Sequence, residues 1–218
     1  MEQELERIAA QKSTGTQVSL LLHACCAPCS SHVIETLAPH FDRIAIYYYN
    51  PNIHPRTEYR RRLEELKTFL AAYESAARVT LEQAPYIPDE YFSAAGTLAD
   101  ERLQTEPERG ERCRRCYRFR MERAFRFALE HRFSYVATTL SISPHKDAEA
   151  INSIGKELEA HFMRQSGGGA PRYLYADFKK HDGFKRSLEL SAQYGLYRQQ
   201  YCGCIYSLRN AGGSSRGS

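Results

Sequence analysis

The chain has 218 residues, 42% of them apolar, with 30 basic and 26 acidic side chains and a net charge of +4. That length suits one domain with short appendages, no stretch approaches the roughly 18 apolar residues of a membrane span, and no global basicity argues for nucleic acid. Seven cysteines are too sparse for a disulfide scaffold and odd in number, and acidic residues precede the short apolar run Val18 to Leu22, unlike a signal peptide. A cytoplasmic protein without membrane association is expected, and in a reducing compartment grouped thiols point to metal or redox work.

Residues 1–17 are polar and read as a loose arm or short helix, a flexible end. Val18 to His23 predicts a buried strand, Cys25 to Cys29 a turn containing Pro28, and Ser30 to Leu37 a helix. A second strand, Arg43 to Tyr49, stops at the breaker Asn50-Pro51-Asn52. Thr57 to Tyr73 is an amphipathic helix with Tyr59, Leu63, Leu66 and Leu70 near one face, and Val79 to Leu81 a short third strand. Pro85 to Gly110 lacks a sustained period and predicts an irregular helical insertion over the core. Cys113 to His131 is the clearest helix, because Tyr117, Met121, Ala124, Phe125 and Ala128 keep helical spacing. Tyr135 to Thr138 reads as a strand, and Pro144 as the opening of a helix to about Phe162. Ser166 to Ala170 is a loop, Gly183 to Tyr194 a helix, and Tyr197 to Leu208 a C-terminal cysteine segment. Residues 211–218, rich in Gly and Ser, predict a second flexible end.

Alternating strands and helices predict an α/β fold with a parallel sheet covered on both faces, as a single catalytic domain over 18–208. In such sheets ligands sit beyond the carboxyl ends of the strands. Cys25 and Cys26, Asn50, and Thr138 to Ser141 each follow a strand, so that edge is the place for chemistry.

The cysteines fall into three groups: Cys25-Cys26 with Cys29, Cys113-x-x-Cys116, and Cys202-x-Cys204. Three chemistries compete for them. Cys26-Ala27-Pro28-Cys29 on a strand-to-helix turn suggests a thioredoxin-like thiol oxidoreductase, but leaves the other groups unexplained. Cys113 and Cys116 with Cys202 and Cys204 supply four zinc ligands, as in a zinc-stabilised RNA-binding module. An iron–sulfur cluster accommodates the adjacent pair better, since neighbouring thiolates can reach different irons.

Between Arg109 and Arg126 eight arginines face two acids, Glu111 and Glu122. A solvated helix face explains this, as does a phosphate-bearing partner gripped by bidentate contacts from Arg112, Arg114, Arg115 and Arg118. Lys179, Lys180, Lys185 and Arg186 are a second basic set. His23 and His145 are candidate proton donors, and Asp147 and Asp177 candidate oxygen ligands, although capping fits the two acids better. The position of the ATP-pyrophosphatase glycine-rich loop is occupied by Cys25 to Cys29, which argues against ATP use.

Five motifs in order, His23-Ala24-Cys25-Cys26-Ala27-Pro28-Cys29, Tyr48-Tyr49-Asn50-Pro51-Asn52-Ile53, Arg112-Cys113-Arg114-Arg115-Cys116-Tyr117, Thr138-Thr139-Leu140-Ser141-Ile142-Ser143-Pro144-His145-Lys146 and Gln200-Tyr201-Cys202-Gly203-Cys204, resemble those of the QueH-type epoxyqueuosine reductases. The resemblance runs from about Leu20 to Leu208. It implies a nucleotide-hydrolase-like (Rossmann-like) fold and a cobalamin-independent reduction of epoxyqueuosine to queuosine at the tRNA wobble position. It also implies a [4Fe-4S] cluster on Cys25, Cys26, Cys113 and Cys116, with a second adjacent iron in some members. Cys202 and Cys204 match a redox-active or metal-proximal pair, Cys29 matches a variable position, and the electron donor is unidentified.

Overall fold

The computed structural model describes residues 1–213. In chain order the elements are α1 (Glu2–Ser13), β1 (Ser19–His23), α2 (Ala27–Leu37), β2 (Arg43–Tyr48), α3 (Arg56–Ala72), β3 (Val79–Gln83), α4 (Pro88–Ala95) and α5 (Arg102–Thr105). They continue with α6 (Glu111–Glu130), β4 (Tyr135–Thr138), α7 (Ala148–Gln165), β5 (Arg172–Tyr173), α8 (Gly183–Gln193) and α9 (Ile205–Gly213). All strand pairs are parallel, and the sheet order is β3-β2-β1-β4-β5. This is the expected α/β, Rossmann-like arrangement. The order reverses beside β1, so the crevice for a ligand opens past His23 and Thr138.

Side-chain alternation along the strands divides the core in two. Leu20, Leu22, Ile44, Ile46 and Tyr48 point to the face covered by α2, α3 and α8, where Val33, Leu66 and Leu190 meet them. Leu21, Ala45, Tyr47 and Val136 point to the opposite face, closed by Met121 and Phe125 of α6 and Ile151 and Leu158 of α7. Both faces of β1 are therefore dry, which explains its unbroken apolar run.

Several boundaries differ from expectation for local reasons. Pro28 does not hold the chain in a turn: α2 starts at Ala27 with Pro28 in its first turn, where a missing N–H costs nothing. Pro144 does not open α7, because Asp147 does so, its Oδ1 accepting from Ala150 N at 3.0 Å. At the amino end the structure has a helix rather than a loose arm, with Ile8 fully buried and Glu4 bonded to Arg172 at 3.0 Å. Residues 211–213 continue α9, and 214–218 lie outside the described residues. The insertion carries α4 and α5 and packs on α6 through Tyr91 and Ala95.

Candidate active site

The turn after β1 is fixed by backbone and side-chain hydrogen bonds. Ala24 N donates to Tyr47 O (3.2 Å), Asn50 Nδ2 donates to Ala24 O (2.9 Å), and Ser30 Oγ donates to Cys26 O (2.8 Å). Cys26 has extended backbone and precedes α2, so Cys29 falls in the first helical turn and comes back beside it. The sulfurs of Cys25, Cys26 and Cys29 all lie within 4.8 Å of one another, and Cys25 and Cys26 are buried. Cys29 thus stands inside this group rather than apart from it.

The three sulfurs share charge. Hydrogen bonds from Cys26 and then Cys29 hold Cys25 well below the usual thiol range. The same contact with Cys25 pushes Cys26 up to about 12 and Cys29 well above its usual value. Three sulfurs so close, one favouring the thiolate form, are the donor arrangement that a soft metal takes up. An all-sulfur donor set, buried and convergent, fits a thiolate-held metal centre.

The facing thiols come from α6 and the C-terminal segment. Cys113 and Cys116 begin α6, and burial, then the neighbouring thiol of Cys202, raises Cys113 to about 11. Burial raises Cys116 to about 12, and Cys116 packs with Cys204, Tyr91 and Tyr206. Burial also raises Cys202, against the opposing charge of Lys146. All seven cysteines are free.

The segment carrying Cys202 is tied down mainly through side chains. Arg62, fully buried on α3, donates Nη1 to Cys202 O (3.2 Å) and Nη2 to Tyr201 O (3.4 Å), while its Nε meets Glu58 Oε1 at 2.7 Å. Tyr201 Oη donates to His54 O (2.5 Å), and His54 N donates to Gly203 O (2.7 Å). Gly203 has φ of 122°, and a Cβ there would come within 3.0 Å of Arg62 Nη1, so glycine is required. Gln199 Nε2 reaches across to Cys26 Sγ at 3.2 Å, joining the two walls.

Between the walls lies a cavity of about 300 Å³, lined among others by Cys29, Cys113, Tyr117, Lys146, Tyr201 and Cys202. Tyr117 and Tyr201 both face it. His145 and Glu108 line it as well.

Other sequence candidates fall elsewhere. His23 is completely buried, with Nδ1 2.9 Å from Thr138 Oγ1 and Nε2 3.3 Å from Tyr49 O. Burial and then Arg120 lower it to about 3, so it is a neutral tie between strands and not a proton donor. Asp147 caps α7, and Asp177 Oδ1 accepts from Lys179 N at 3.2 Å, so neither points to a metal. Arg112 is the clearest correction. It is 1% exposed, and its Nη1 donates to the carbonyls of Leu103 (2.6 Å) and Gln104 (3.2 Å), out of reach of any phosphate. Arg114, Arg115 and Arg118 are exposed; Arg115 pairs with Glu111 at 2.9 Å and Arg118 with Glu157.

Sequence reasoning assigned no role to Arg62, Arg120, Lys146 or Gln199. Arg120 had a detectable signal, since 112, 116 and 120 are spaced by four and share the inner stripe of α6 with Cys116. Arg62 likewise follows Glu58 by four. Lys146 and Gln199 lie in irregular segments, where no period reveals direction.

Comparison with known proteins agrees with this arrangement. A family model described as epoxyqueuosine reductase QueH matches residues 20–210. The epoxyqueuosine reductase QueH of Streptococcus pyogenes serotype M1 is 38% identical over 196 residues, covering 89% of this chain and 72% of the relative. That of Staphylococcus epidermidis is 37% identical over 211 residues, covering 95% and 84%. The Acinetobacter baylyi protein of the same name is 38% identical over 193 residues, covering 88% and 81%. No helix among the described residues is long and apolar enough to cross a membrane. With its thiols gathered at the switch point of a parallel sheet and matched over nearly its whole length, the chain belongs to the QueH family of epoxyqueuosine reductases.

Proposed function

We propose that this protein reduces epoxyqueuosine to queuosine at the wobble position of tRNA, without cobalamin, using residues 18–208 as one catalytic unit in the cytoplasm. The observation that carries the reading is the convergence of three thiol groups on one cavity at the sheet edge, in a chain of this family. Cys25 and Cys26, with Cys113 and Cys116, would hold a [4Fe-4S] cluster, with Cys29, whose sulfur lies within 4.8 Å of those of Cys25 and Cys26, as a further thiolate donor beside it. A bound iron–sulfur centre supplies single-electron transfer and a Lewis-acidic iron toward an epoxide oxygen.

The chain's own residues complete the chemistry. Deoxygenation breaks both epoxide C–O bonds, forms a C=C bond and releases the oxygen as water, taking up two electrons and two protons. Oxidation of the Cys202/Cys204 dithiol to a disulfide releases two electrons and two protons, so the balance closes, and an external reductant restores the dithiol. Gly203 lets the two thiols fold toward each other. Tyr117 and Tyr201 offer aromatic faces to a base turned out of the anticodon loop. Arg114, Arg115 and Arg118 grip backbone phosphates and set position rather than sequence.

The test is nucleoside analysis of tRNA incubated with anaerobically purified protein and a reductant. Conversion of epoxyqueuosine to queuosine by brown, iron-containing protein is expected. Colourless protein with stoichiometric zinc and no conversion would overturn the reading in favour of a zinc-stabilised RNA-binding module.

A further inference from the structure

Four cationic side chains are buried around the thiols, and only Arg62 has a carboxylate partner, Glu58. Arg120 is 2% exposed, Arg112 1% and Lys146 8%, and none of the three forms an ion pair among the described residues. Arg120 spends one nitrogen on a neutral amide, Nη2 donating to Asn50 Oδ1 at 2.5 Å, and its Nε has no partner. Arg112 leaves Nε and Nη2 without partners. An unpaired charge in a protein interior costs several kcal/mol, so a fold that retains three must supply an anion for them.

The cavity points to which anion. Its one lining carboxylate, Glu108, is exposed and pairs with none of the three. Arg120 and Lys146 have sulfur nearby, whereas Arg112 lies over the Tyr206 ring at 5.0 Å and borders the thiols less directly. Arg120 lies one helical turn from Cys116 on the inner stripe of α6, and Arg112 flanks Cys113. Lys146 lines the cavity together with Cys29, Cys113 and Cys202. Cysteines become anions when a metal displaces their protons.

We infer that Arg120 and Lys146, assisted by Arg112, are the counter-charge of the thiolate-held metal centre, positioning residues that raise the potential at which it accepts an electron. The inference rests on the proposed metal centre. A centre that gains an electron becomes more negative, and a fixed cation close by in apolar surroundings stabilises that state more than the oxidised one.

Potentiometric titration of anaerobically reconstituted protein, followed by visible absorption and electron paramagnetic resonance, tests it, with iron and sulfide content measured in parallel. Lys146→Met and Arg120→Met should each shift the midpoint to more negative potential, by a factor of about ten in the reduced-to-oxidised ratio, which is 59 mV for one electron. Lys146→Arg should stay near the starting value. Loss of iron from folded Lys146→Met with retention in Lys146→Arg supports the same role. Arg120 is deeper and its variant is the more prone to misfold, so the Lys146 series at the cavity edge decides. Full iron content with an unmoved midpoint overturns the inference, and if tRNA affinity falls in that same variant, the cations serve a substrate phosphate instead. Unsubstituted protein without iron–sulfur absorption overturns the metal-centre reading itself, before any variant is made.

Discussion

The two walls of the cavity hold their thiols by different means. Cys25, Cys26 and Cys29 sit on the β1–α2 turn, where main-chain hydrogen bonds and the Asn50 side chain fix the backbone between two strands. Cys202 and Cys204 sit on a segment outside the sheet, held by Arg62, Tyr201 and the conformation of Gly203. The first wall has the rigidity a metal site needs for constant ligand geometry. The second is held mostly by a few side-chain contacts, the kind of support that the proposed dithiol–disulfide pair requires.

Exchanging single sulfurs puts that contrast to its hardest test. Serine at Cys25 or Cys26 should abolish iron binding and with it turnover, whereas Cys202→Ser or Cys204→Ser should retain iron and lose turnover alone. Iron analysis beside nucleoside analysis separates the cases, and iron lost from Cys202→Ser but kept by Cys26→Ser would reverse the assignment of the walls.

Arg62→Met attacks chiefly the second wall, where Arg62 makes its hydrogen bonds, and reaches the first only through its charge. It leaves Glu58 buried without its partner, and breaking such a pair costs about 3–5 kcal/mol, measurable by urea unfolding. Activity should fall while iron content stays near full. Equal loss of both would mean that the walls are not mechanically separate.

The outer surface of α6 is the next step down. Alanine at Arg114, Arg115 and Arg118 should spare iron and fold but weaken tRNA binding, reducing the salt dependence by about 0.7–0.9 for each phosphate no longer gripped. An unchanged slope would move the RNA surface toward Lys180 and Lys185.

The smallest effect concerns α2, which carries the first wall. Arg186 of α8 bonds Glu35 at 2.7 and 3.0 Å and holds its carboxyl below the ordinary value of 4.5. The folded state therefore binds this proton less readily than the unfolded chain. The resulting stability is present above pH 4.5 and lost as pH falls through the lower folded value. Both partners are about a third exposed or more, so solvent screens the pair, and Arg186→Gln should cost little at neutral pH and flatten stability below pH 4.5. Thermal unfolding at pH 7 and pH 3.5 checks both parts.

Much of this architecture was legible in the residues because burial writes a period. The apolar run at Leu20 to Leu22 and the spacing along α6 located a strand and a helix to within a few residues. Proline misled twice for one reason: Pro28 and Pro144 are each compatible with a turn or a helical start, and the neighbours decide which. Arg112 misled because charge suggests solvent, whereas its position four residues before Cys116 places it inside. The cysteine groups were visible as spacing, but the placement of Cys29 beside Cys25 is a product of the first turn of α2. The grip of Arg62 on Cys202 links residues 140 apart in the chain, and no local pattern announces such a contact.

Helix α6 is a single unbroken rod of 20 residues, about 30 Å long. Cys113, Cys116 and Arg120 look inward from it, while Arg114, Arg115 and Arg118 look outward. Because successive residues are turned by a fixed angle, the inner and outer sets cannot be adjusted independently. A load applied to the outer arginines is borne by the same backbone that aims the inner sulfurs. The helix thereby ties an outer cationic face and an inner row of sulfurs to one backbone, so that neither can be repositioned without the other.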